Sequence, residues 1–285
     1  MTRIRTPLVV AGIAAAVLWT VIRSGTGILP GYEALLEAAH LWPIRVPRTY
    51  EAFSADSPLN LIAFKVLGLS RPEQFLWLHL SAIFAAIVAL AAWSGIAADT
   101  GKARAIRLSI LAPVSTVMLA WIGSYDPFTM LCWALALFAW LTKRAPLMVL
   151  AGIPLGFQHF EHAAAGLAVL ILAWSASRNL LPPSLRGSPL WIAPGIILGK
   201  VLLIIVFIGT DQPMSGRTAW IGPFLRDWTA VGANVAPILL WSLFAGTWAI
   251  VVFLWLQVNN RQRALLATGF ALGLLALALS GDRPR

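Results

Sequence analysis

"RAPLMVLAGIPLGFQHFEHAAAGLAVLILAWSASR", residues 144–178, sets two apolar runs between two arginines, with His159, Glu161 and His162 at the join. The runs, Pro146–Phe157 and Ala163–Ala176, have the composition of buried or lipid-facing helices. The chain must go across and back within about 33 residues. At about 1.5 Å per residue, two helices of about 15 residues reach roughly 22 Å each. A hydrocarbon core is roughly 30 Å thick. The tip is therefore expected to sit below one membrane interface, where ionisable groups need a cavity, a partner or water. A plain polar turn at a wet interface is the rival reading of the same residues.

The rest of the chain agrees with an apolar environment. Of its 285 residues 59% are hydrophobic and 11% charged, and the mean hydropathy is +0.81. Soluble domains carry about 25% charged residues. An all-α polytopic membrane protein is the expected class, as one membrane domain over residues 1–285. The net charge of +10 is accounted for by basic loops between spans, so no nucleic-acid partner is implied. Cys132, the single cysteine, excludes an internal disulfide. The 14 tryptophans suit interfacial belts.

Apolar runs place about nine membrane helices: Pro7–Ile22, Phe75–Ala98, Leu108–Gly123, Pro127–Leu141, Pro146–Phe157, Ala163–Ala176, Leu190–Gly209, Ala236–Val258 and Ala264–Ser280. The basic start before the first run, without a small-residue cleavage site after it, reads as a retained helix with a cytoplasmic N-terminus. The inner loops are then "TGKARAIR", "TKRA", "SRNLLPPSLRGS" and "NNRQR", all basic and without an acid. Most acids and all four histidines fall on or near the outer side. This sorting obeys the positive-inside rule and fits a bacterial inner membrane.

Two outer connections are long. Residues 24–74 contain "GYEALLEAAHLW" and "SPLNLIAFKVLGL", whose apolar spacing predicts amphipathic surface helices. Residues 210–235 carry Arg217 and Arg226 beside Trp220 and Trp228. Those groups are suited to cradling a phosphate or to anchoring at the interface. Lys200 lies in the middle of an apolar span. It needs a carboxylate, a lipid phosphate or a route to the interface.

Asp126 in "GSYDPFT" and Glu161 in "HFEH" are suited to general-base work or to holding a divalent cation. The His159–His162 spacing puts both rings on one helical face. "HFEH" is nonetheless neither zinc-hydrolase pattern, and no nucleophile elbow or P-loop occurs. Whether a metal is bound stays open.

The layout resembles the GT-C-type membrane glycosyltransferases, polytopic enzymes that take a sugar from a polyprenyl-phosphate donor on the outer face. The resemblance covers residues 1–180. It rests on Tyr32, Tyr50 and Ser57-Pro58-Leu59 in the first outer loop, and on "GSYDPFT" as a second acidic motif. Gly31 stands where such enzymes usually place an acid, which leaves the base open among Glu33, Glu37 and Asp56. The resemblance implies inverting transfer with Glu33, Asp56, Asp126 and Glu161 as the catalytic carboxylates. His159, His162, Lys200, Arg217 and Arg226 would then bind substrate. Its partners would be membrane lipids and the polyprenyl-phosphate sugar, with a divalent cation as an optional cofactor. A non-catalytic membrane scaffold, and a transporter or flippase for an anionic lipid or small solute, are the alternative readings. The sequence specifies neither sugar, acceptor nor oligomeric state.

Overall fold

The computed structural model describes residues 32–44, 56–97, 126–178 and 186–212, with 259, 260, 263, 264 and 267. The expected spans at 7–22, 108–123 and 236–258, most of that at 264–280, and Arg217 and Arg226 lie outside the described residues. Within those residues every element is helical. They are α1 (Tyr32–Leu41), α2 (Leu59–Val66), α3 (Pro72–Ala97), α4 (Asp126–Leu141), α5 (Ala145–Ser177), a 3-10 turn (Pro189–Ile192) and α6 (Ala193–Gly209).

Helices do form at both places expected within residues 24–74. Gly68, at φ 62°, ends α2 in a left-handed conformation that a Cβ would resist. There the Gly68 N–H donates to the Lys65 carbonyl at 3.2 Å and the Leu69 N–H to the Phe64 carbonyl at 3.1 Å. This pair of bonds is a Schellman ending. The chain re-enters a helix at once. Pro72 opens α3, and the Gln74 side chain reaches back to the N–H groups of Ser70 and Arg71 at 3.0 and 3.1 Å. The α1–α2 pair buries Ala39, Leu61 and Phe64 against Phe75 of α3, with Leu36, Trp42 and Leu69 at the margin. These helices therefore cover one end of the bundle through their apolar stripes.

Helices α3 and α4 advance side by side in the same direction. His79 lies 5.8 Å from the Phe128 ring, and further along Ile83 and Ala86 pack with Met130 and Ala134. A three-residue turn then sends the chain back into α5. Lys143 occupies the left-handed region there, at φ 57°, and the Thr142 hydroxyl donates to the Ala139 carbonyl at 2.7 Å.

Helix α5 has 33 residues and is broken once, at His159. The expected polar turn is thus almost wholly helical: one arm runs to Gln158 and the next starts at Phe160. Gln158 pairs with Thr129 near the start of α4, while Gly166 abuts the Trp133 ring one turn further along that helix. The second arm therefore returns along the same face of α4. At the opposite end the Trp140 indole N–H donates to the Gly187 carbonyl at 2.7 Å. This ties the 142–144 turn to the segment leading into α6.

The closest contact joins α6 to the first arm of α5. A Cβ added to Gly195 would stand 2.8 Å from the Gly152 Cα and would collide with the Val149 carbonyl. One on Gly199 would meet the Phe157 nitrogen at 2.6 Å, and one on Gly156 would collide with the Ile196 carbonyl. Two G-x-x-x-G segments, 152–156 and 195–199, thus let the backbones touch in parallel.

Two helical stretches, Ala145–Leu172 and Pro189–Gly209, have the length and hydropathy of a membrane span, the first of them only when its two arms, divided at His159, are counted together. Leu147, Leu150, Ile197, Val201, Ile205 and Ile208 stand exposed on them. That apolar surface suits association with a membrane.

Because backbone atoms cannot move aside, Gly156→Val is expected to destabilise the protein by at least about 1–3 kcal/mol. Gly209→Ala, whose Cβ meets nothing within 4 Å, is expected to be neutral. Thermal unfolding of the two purified variants in one membrane mimetic checks this contrast.

Candidate functional site

Six buried polar side chains occur among the described residues: Ser57, Asn60, His79, Thr129, Gln158 and His159. Ser57 and Asn60 flank the start of α2, Thr129 is in the first turn of α4, and Gln158 and His159 form the α5 break. His79 is two turns into α3. All six lie at one end of the bundle. Polar atoms are costly away from water unless bonded, so a chain this apolar gathers them where they can serve one another or a ligand.

Gln158 is the link. Its side-chain oxygen accepts from the Leu59 N–H at 2.8 Å, and its amide nitrogen lies 3.5 Å from the Thr129 hydroxyl. Leu59 is the first residue of α2, and the residue before it, Pro58, offers no side-chain cap. Gln158 thus satisfies one of the open N–H groups at that helix start from 99 residues away. It also brings the segment carrying Asp56, the helix starting at Asp126 and the His159–Glu161–His162 tip to one junction.

The tip has its own local logic. His159 is extended, at φ −160°, and stands as the N-cap of the second arm. Its Nδ1 accepts from the His162 N–H at 3.4 Å and lies 3.6 Å from Glu161 Oε2. A ring whose Nδ1 carries no proton does the first, and one with a proton on Nδ1, neutral or charged, does the second. The His159 and His162 rings are 5.4 Å apart. Glu161 sits in the first turn of its arm, where the helix dipole favours a carboxylate.

Lys200 of α6 finds the carboxylate that its position requires. Its Nζ is 3.5 Å from Glu161 Oε1 and 5.6 Å from the Phe160 ring centre. A tight charge-assisted bond is roughly 2.7–2.9 Å, so this is a loose pair. Its side chains keep 29% and 38% exposure. Glu161 and Lys200 therefore remain open to a third charged group.

Of the sequence candidates, Glu161, His159, His162 and Lys200 form one cluster. Asp56 and Asp126 lie on segments tied to that cluster through Leu59, Thr129 and Gln158, and both are half-buried. Glu37 is exposed on α1, and Glu33 belongs to the first turn of α1. Among the described residues no three His, Cys, Asp or Glu side chains gather as a metal site. Reasoning from charged residues missed Gln158, Thr129, Ser57 and Asn60. A glutamine at the very end of an apolar run, and an asparagine within "SPLNLIAF", were the available signals.

Gln158→Leu removes the acceptor of the Leu59 N–H and is expected to cost about 1–3 kcal/mol. Gln158→Glu keeps an acceptor oxygen there and is expected to restore part of that loss. Thermal midpoints and proteolysis between α1 and α3 give the readout, with the cut appearing earlier in the leucine variant.

Compared with known proteins, the chain matches no family model, no curated protein and no solved structure.

Proposed function

We propose that the chain is an integral membrane glycosyltransferase of the GT-C type with about nine membrane helices. It moves a sugar from a polyprenyl-phosphate donor to an acceptor at the outer face of a bacterial inner membrane, with its N-terminus in the cytoplasm. The observation that carries this reading is the junction held by Gln158. The outer-loop helix, the Asp126 helix and the His159–Glu161 tip meet there, with every buried polar side chain of the described residues at that end. Such groups are expensive within lipid and mark the place where a polar substrate is handled. Lys143, Arg144, Arg178 and Arg186 are exposed and belong to the turns of the other end, which supports a cytoplasmic placement for it.

In the proposed reaction an acceptor hydroxyl oxygen bonds to the anomeric carbon while the bond from that carbon to the phosphate oxygen breaks. The hydroxyl proton passes to a carboxylate. Asp56 is the best placed of the three open candidates, because it stands three residues before Leu59, whose N–H the junction holds. Asp126 lines the site from α4. Lys200, loosely held by Glu161, turns to the departing polyprenyl phosphate, as would Arg217 and Arg226.

Asp56→Asn and Asp126→Asn are expected to lower sugar transfer by about 10²–10⁴-fold with an unchanged thermal midpoint. Glu73→Gln, exposed at the start of α3, is expected to retain full activity. The assay follows labelled sugar from a polyprenyl-phosphate donor in membranes containing each variant. Full transfer by both folded aspartate variants would sink the enzymatic reading in favour of a scaffold. Donor movement across sealed vesicles without transfer would favour a transporter.

A further inference from the structure

The end of the bundle opposite the Gln158 junction carries charge of one sign. Lys143, Arg144, Arg178 and Arg186 are exposed there. Of the acids whose side chains are described, Glu37, Asp56, Glu73, Asp126, Glu161 and Asp211 all belong to the other end. Like charges held close together repel one another and attract an anion.

Three of these cations are gathered at one corner. The bond from the Trp140 indole N–H to the Gly187 carbonyl, 2.7 Å, joins the turn carrying Lys143 and Arg144 to the segment carrying Arg186. The Lys143 stem lies over Gly187, with its Cγ 3.6 Å from where a Cβ would stand. Both segments are fixed by their own hydroxyls. Thr142 donates to the Ala139 carbonyl at 2.7 Å and accepts from the Arg144 N–H at 3.2 Å. Ser188 accepts from the Leu190 N–H at 3.3 Å. Lys143 stands at φ 57°, a conformation that glycine adopts at less cost. The bend by itself asks for glycine; the lysine adds charge. Arg178 is placed differently. It caps the end of α5, with its guanidinium 5.4 Å from the Trp174 ring centre. The helix end and the ring face both hold a cation there.

Beside the charged corner the surface is apolar. Leu147 and Leu150 stand exposed on the first two turns of α5, and Leu190 and Trp191 at the entry to α6. Cations set directly against exposed apolar helix faces match a molecule with a phosphate head on acyl chains. We propose that Lys143, Arg144 and Arg186 hold the phosphate of an anionic phospholipid whose acyl chains lie along the apolar faces of α5 and α6. Free phosphate lacks those chains, and exposed cations in water hold it weakly. The site rests on the membrane placement of the chain and not on sugar transfer.

The test uses the full chain in nanodiscs of phosphatidylcholine, with or without phosphatidylglycerol. The anionic lipid is expected to raise the wild-type thermal midpoint by about 2–4 °C. Arg144→Gln and Arg186→Gln are each expected to lose most of that rise. Lys143→Gly is expected to lose it too, while keeping an equal or higher midpoint in phosphatidylcholine alone, because the turn is relieved. Arg178→Gln, and Arg71→Gln at the other end, are expected to keep the rise. A wild-type midpoint that is the same in both lipids overturns the proposal without any variant. A Lys143→Gly protein that keeps the rise also overturns it. Equal losses in Arg178→Gln and Arg144→Gln identify diffuse attraction by the whole end, and overturn it. Inorganic phosphate that raises the midpoint as far in phosphatidylcholine alone identifies a free-anion site, and overturns it too. A chain that stays dissolved without lipid or detergent removes the membrane placement as well. One that enters nanodiscs and shows no rise removes this site only, and leaves sugar transfer to its own assay.

Discussion

Where Gly152 and Gly156 meet Gly195 and Gly199, two helix backbones touch with no side chain between them. Lipid chains give apolar helices little reason to prefer one another, so association in a membrane depends on close packing of this kind. The contact fixes the height of α6 against α5. Lys200 follows Gly199, and Glu161 lies one turn beyond Gly156 and Phe157, so the register of the glycines brings cation and carboxylate together. Without that approach a lysine in the middle of an apolar helix would have no carboxylate within reach.

The second constraint is that a greasy chain must satisfy its polar groups. The chain does so by division of labour between its ends. The turn at 142–144 and the segment at 186–188 are joined by the Trp140–Gly187 bond and carry exposed basic residues. At the other end neutral polar groups are buried, and the charged pair stays at their edge. Gln158 is the centre of that arrangement, because one amide can accept from a distant helix start while facing a hydroxyl on another. His159 adds a choice: its Nδ1 either caps the returning arm or faces Glu161, according to where the proton sits.

Much of the fold could be read from apolar run length. The runs at 75–98, 127–141 and 190–209 correspond within a few residues to α3, α4 and α6. The hairpin at 144–178 also stands, since Gly166 returns to Trp133. Its tip could not be read in detail, because helix can persist up to a single residue when a side chain caps the restart, as His159 does. The site was legible where charge marked it, at Glu161 and Lys200. It was illegible at Gln158 and Asn60, because neutral amides attract notice only when their burial is known.

Composition by itself determined that the described residues are helical and apolar, because burying such a surface leaves few alternatives. The run lengths pointed to residues 159–162 as the tip of a hairpin, and the contact of Gly166 with Trp133 is what shows the chain turning back. Only the tertiary structure decided which helices touch, that Lys200 faces Glu161, and that an N–H at residue 59 depends on a side chain at residue 158. Those are matters of register between segments far apart in the chain. Register is set by where small residues let two backbones meet, which no local pattern of polarity encodes.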